Sequence, residues 1–89
     1  MKHLNITYFL FKDEHYNYLL SGNKLKLNPL GHRRPKEYTL TDNEVSQLMD
    51  YYVLPLRKLR NDFPYNEAVY LDILDYEDDL MAFVDHFVD

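Results

Sequence analysis

The chain has 89 residues, is 46% hydrophobic and 16% aromatic, and carries a net charge of −5, which describes a single globular domain over residues 1–89 and excludes a disordered or low-complexity chain. It contains no cysteine, so disulfides and thiolate metal sites are excluded, and a reducing compartment, the cytoplasm, is the expected location. No apolar run reaches the roughly 18 residues of a membrane-spanning helix, so no membrane partner is expected.

Residues 4–11, LNITYFLF, are β-branched and aromatic and predict a strand. Ile6, Tyr8 and Leu10 would lie on one face, and Asn5, Thr7, Phe9 and Phe11 on the other. Both faces are apolar toward the end, which predicts a central strand or one covered by helices. The polar residues here cut the apolar run too short for a signal peptide. Residues 13–22 allow a short helix capped by Asp13, or a hairpin that turns at Lys12 to His15 and returns through Tyr16 to Leu20. Weak helix propensity favours the hairpin. Residues 23–28 alternate Leu25 and Leu27 with Lys24 and Lys26, as a half-exposed or edge strand does. Asn28-Pro29-Leu30-Gly31 signals a turn. An exposed basic loop follows, and residues 36–40 alternate again.

The longest periodic stretch runs from Thr41 to Phe63. Its apolar residues, Val45, Leu48, Met49, Tyr52, Leu56, Leu59 and Phe63, recur at the spacing of one helix face. Thr41 and Glu44 have the spacing of a capping box. Pro55 removes one backbone donor and collides with the Tyr51 carbonyl, so the helix must kink, or stop and restart, near Val53 and Leu54. Asn61 to Pro64 ends it. In residues 66–74, Val69, Leu71 and Ile73 alternate as in a strand, although a helix would bring Val69, Ile73 and Tyr76 together. A strand is predicted here, and a helix over residues 75–88 with Asp75 as cap and Glu77, Asp78 and Asp79 in its first turn. The expected architecture is α+β: a small antiparallel sheet of three or four strands with two main helices packed on one face.

Charge is unevenly placed. Residues 1–40 carry seven Lys and Arg against three acids, +4, and residues 41–89 carry three against twelve, −9, which together make the net −5. From Pro64 onward there are eight acids and no Lys or Arg. Such a face fits a partner protein with a basic surface, where carboxylates stand in for phosphates. The candidate residues are Tyr70, Asp72, Asp75, Tyr76, Glu77, Asp78 and Asp79, with the tyrosines as aromatic anchors. The alternative is a nucleic-acid-binding patch of Lys24, Lys26, Arg33, Arg34 and Lys36, opposed by the acidic balance of the whole chain. A third arrangement joins the basic hairpin of one copy to the acidic face of another in a homodimer or larger assembly.

The chemistry of common sites is missing from the pattern. His3, His15, His32 and His86 are far apart in sequence, and the cluster Asp85, His86, Asp89 is too loose for a metal site. The acids of YLDILDYEDD lack the glycine and closing glutamate of a calcium loop. Two glycines cannot build a phosphate loop. The chain is therefore expected to be a non-enzymatic protein without a cofactor.

In its size, lack of cysteine, Tyr/Asn/Lys/Asp-rich usage and acidic end, the chain is similar in style to small phage-borne inhibitors, among them anti-CRISPR proteins and other nucleic-acid mimics. The likeness is one of composition and assigns no residue roles. It implies an inhibitor of a nucleic-acid-handling protein, acting in the host-cell cytoplasm if the chain is phage-borne.

Overall fold

A computed structural model describes residues 6–88. Leu4 and Asn5 of the expected first strand lie outside the described residues. The chain divides into two compact units, Met1–Asn43 and Glu44–Asp89. It is an α+β protein, with an antiparallel four-stranded sheet in the first unit and helices in the second.

The sheet is built from β1 (Thr7–Lys12), β2 (Tyr16–Ser21), β3 (Lys24–Pro29) and β4 (Lys36–Thr39), in the order β1-β2-β3-β4. The hairpin reading of residues 13–22 holds, and Asp13 is the reason. Its Oδ1 accepts the backbone N–H groups of His15 and Tyr16, each at 2.8 Å, and its Oδ2 accepts the Tyr18 hydroxyl at 2.8 Å. One side chain thus satisfies the turn's orphan donors and ties them to β2. The second hairpin turns through Gly22-Asn23, where Gly22 has φ 60° and Asn23 does not have positive φ. A glycine alone at positive φ in the first central position is the pattern of a type II′ turn, whose twist suits a two-residue hairpin.

Pairing fixes the faces. Tyr18 lies opposite Leu27, and Leu20 opposite Leu25; Tyr16, Leu20, Leu25 and Leu27 are all buried. The expected alternation of β1 fails at one point. Its register with β2 shifts between Phe9 and Phe11, so the bulge lets consecutive Leu10 and Phe11 both be buried. Phe11 therefore leaves the side of Phe9 and stacks on Tyr18, with ring centroids 4.2 Å apart. Apolarity on two faces reflected this bulge and not a central position: β1 is at one end of the strand order. β3, in contrast, lies between β2 and β4 and is half-exposed because its lysines point away from the leucines.

Thr41 directly precedes α1 (Asp42–Leu48), in the position of an N-cap. The expected disruption by Pro55 takes a specific form, a π-helical turn over Met49–Val53 before α2 (Leu54–Asp62). The Leu54 N–H donates to the Met49 carbonyl, five residues back. The wider turn inserts one residue ahead of the proline, whose missing N–H would otherwise leave a carbonyl unserved. It also rotates the apolar face. Leu48, Val53 and Leu56 are buried, while Tyr52 is only half-buried. The chain leaves α2 in a 3-10 turn at Phe63–Tyr65 containing Pro64, and Phe63 is exposed instead of joining the apolar face.

The strand expected over residues 66–74 is not formed. Val69–Val84 is one continuous helix, α3. The Asn66 side chain accepts the Ala68 N–H at 3.1 Å, and the Asn66 carbonyl accepts the Val69 N–H at 3.1 Å, which opens the helix. Asp75 is accordingly in mid-helix and caps nothing, and of the acids only Asp72 is in the first turn. No glycine or proline stands between Asn66 and Val88, so nothing supplies the loop that a strand-to-helix transition needs. Val69, Ile73, Leu80 and Val84 form the buried stripe of α3. Tyr52 and Phe83 meet with centroids 5.2 Å apart, and Phe83 meets Phe87 edge-on at 5.2 Å.

Candidate functional site

The helical reading of residues 69–84 decides how the acidic side chains are displayed. With 3.6 residues per turn, Asp72, Asp75, Asp78 and Asp79 fall within an arc of about 120° on α3. All four are exposed, and none forms an ion pair with a described residue. From Asp72 to Asp79 the axis rises about 10.5 Å. The successive rises are about 4.5, 4.5 and 1.5 Å, so four charges fall within about two helical turns. Tyr76, 36% exposed, borders this arc on the side of Asp72.

Two of the seven expected residues are placed differently. Glu77 lies next to the buried stripe, between Ile73 and Leu80, and its Oε2 accepts from the Arg60 Nη2 at 2.8 Å. Both side chains are about three-quarters buried, with 28% and 23% of their surface accessible. Glu77 thus ties α2 to α3 and is not part of the outward face. Tyr70 falls on the opposite flank of the stripe from Tyr76, where its ring lies against Phe63 with centroids 5.4 Å apart and planes at 32°. The two tyrosines do not form a common anchor with the aspartates.

Beside Phe63 and Tyr70 an open groove of about 350 Å³ is lined by these two rings and Glu67. Neither Phe63 nor Glu67 was singled out by the sequence. Phe63 carries the phase of the helix before it, which hides its exposure, and Glu67 has no local signal at all.

The basic residues of the first unit are dispersed. Lys26 is paired with Glu37 across β3 and β4, and Leu27 with Lys36. Lys24 and Lys26 therefore project from one face of the sheet and Lys36 from the other. The Lys24 Nζ donates to the Thr39 hydroxyl at 2.6 Å. The Lys36 Nζ sits over the Tyr16 ring, 5.8 Å from its centroid, and the Arg33 Nη2 lies 3.5 Å from the His15 Nε2. Lys26 and Lys36 meet only at an open groove along β4 that Asn28, Pro35 and Glu37 also line.

Among the described residues no polar or charged residue is buried, and no group of three or more His, Asp and Glu could hold a metal ion. The ionisation of Asp13 is displaced. Burial pushes its carboxyl up, but the hydrogen bonds from His15, Tyr18 and Tyr16 and the nearby His15 charge outweigh it, and the net shift is downward. Among the described residues no helix is long and apolar enough to cross a membrane. No protein-family model matches the chain, and neither a curated protein nor a solved structure matches it at a significant level.

Proposed function

We propose that the chain is a non-enzymatic binding protein that inhibits or regulates a nucleic-acid-handling partner by seating the aspartate arc of α3 in that partner's basic groove. The observation that carries this reading is the display of Asp72, Asp75, Asp78 and Asp79 on one exposed arc within about two turns of α3, a density of negative charge that a basic groove complements. The ion pair of Glu77 helps fix the helix that presents them. Catalysis finds little support, since no described Asp, Glu, His, Lys or Arg is buried where a dry site could tune it. Such a partner places the protein in the cytoplasm, the host's if the chain is phage-borne.

The test is capture of partners on the immobilised chain across a salt series, with wild type and the D75K/D78K/D79K variant. A nucleic-acid-handling protein should be retained by the wild type, released as salt rises, and bound at least about tenfold more weakly by the variant. Equal retention by both proteins refutes the reading. Direct nucleic-acid binding through Lys24, Lys26, Arg33, Arg34 and Lys36 is the rival. The dispersal of these cations over both faces of the sheet disfavours it, and a gel shift with DNA and RNA at physiological salt decides it.

A further inference from the structure

The groove beside Phe63 and Tyr70 is separate from the aspartate arc, and its chemistry is different. It is a wall of two aromatic rings with a carboxylate at its edge. Both residues keep much of their surface in solvent, Phe63 40% and Tyr70 48%. The Glu67 side chain makes no hydrogen bond or ion pair with a described residue. No Lys or Arg is among the residues that line the groove.

We propose that the groove of Phe63, Glu67 and Tyr70 binds an arginine side chain displayed on a partner protein. Charge complementarity calls for a cation, because the one ionised group in the groove is a carboxylate. The rings narrow the choice. At 5.4 Å between centroids and a tilt of 32° they lie against each other, which leaves no slot between them and no enclosing cage for a methylated ammonium. What they offer is the ring surface that lines the groove. A planar guanidinium stacks on such a surface while its N–H groups donate to a carboxylate at the edge, and a lysine ammonium matches only one of these two features. The site extends the partner surface beyond the aspartate arc and stands independently of it.

The test is an NMR titration of the ¹⁵N-labelled chain with a peptide of alternating Arg and Gly, and with its Lys–Gly counterpart. The Arg peptide should shift the amides around Phe63, Glu67 and Tyr70, and should bind about fivefold or more tightly than the Lys peptide, the effect of one added stacking contact. E67Q, which keeps the shape, and Y70L, at a half-exposed position, should each weaken the Arg peptide by about fivefold at this site. D75N/D79N should leave the shifts at this site in place. Equal affinity for the two peptides, indifference to E67Q, or shifts confined to Asp72 through Asp79 would each overturn the proposal. The last result would leave the aspartate arc as the cation-binding surface, whereas shifts at the groove with Asp72 to Asp79 silent would uphold the groove and count against the arc.

Discussion

The two units treat charge in opposite ways. In the sheet unit the two-residue period of β3 and β4 sets Lys24 and Lys26 on the opposite face from Lys36, Arg33 and Arg34 lie in the loop between these strands, and three of the five cations are engaged by Thr39, Tyr16 and His15. In the helical unit acids spread over eight positions are gathered by the helical period onto one arc, with Glu77 alone turned to Arg60. Charge counted along the sequence is therefore not a surface. The same density becomes a patch or a scatter according to the period of the element beneath it.

The largest effect that could break this comparison is in the helical core. Leu56 is completely buried and Val53 nearly so, whereas Leu54 is 47% exposed. Leu56→Ala should cost about 3 kcal/mol and Val53→Ala about 2, with Leu54→Ala below about 0.5, measured by urea unfolding. A larger loss at Leu54 than at Val53 would contradict the π-helical turn and with it the orientation of the helical unit.

The sheet unit depends more on polar groups. Asp13→Ala should cost about 2 kcal/mol at neutral pH, because three hydrogen-bond donors lose their acceptor. Its folded carboxyl titrates below the ordinary value of 3.8. The stabilisation is therefore complete above that value and is lost as pH falls through the lower folded one. Thermal melts of wild type and variant should converge on acidification. Parallel curves would show that the turn does not depend on this ionised carboxylate.

A smaller effect sharpens the hairpin geometry. Gly22 has positive φ, and a Cβ there would meet no atom within 4 Å. Gly22→Ala should then cost only the backbone strain, about 1 kcal/mol, by the same unfolding measurement. A loss several times greater would mean that the turn is crowded.

Much of the sheet was legible because its strands carry their own period and punctuation: Asp13 marks the first turn, and the alternation of Leu25 and Leu27 with Lys24 and Lys26 marks faces, whereas Asn28 and Pro29, expected in a turn, are the last two residues of β3 and pair with Asn17 and Tyr16. The bulge at Leu10 was not legible, since it arises from pairing with β2. The failure at residues 66–74 has a different cause. Val69, Leu71 and Ile73 fit a strand and Val69 and Ile73 fit a helix equally well. The deciding fact is the unbroken run to Val84, which lies outside that window. The acidic candidates followed the same pattern. The sequence puts the four candidate aspartates and Glu77 in one acidic tail, but the inward turn of Glu77 depends on its phase relative to Ile73 and Leu80, and that phase is set by where α3 begins.

The most direct measurement of the central claim is a competition. A nucleic-acid-handling partner retained by the chain is loaded with its DNA or RNA, and the chain is titrated in while bound nucleic acid is followed by fluorescence anisotropy. The account predicts that the chain displaces nucleic acid to completion, that displacement weakens as salt rises, and that D75K/D78K/D79K displaces none. A ternary complex in which nucleic acid stays bound, or equal displacement by the charge-reversed variant, would contradict it.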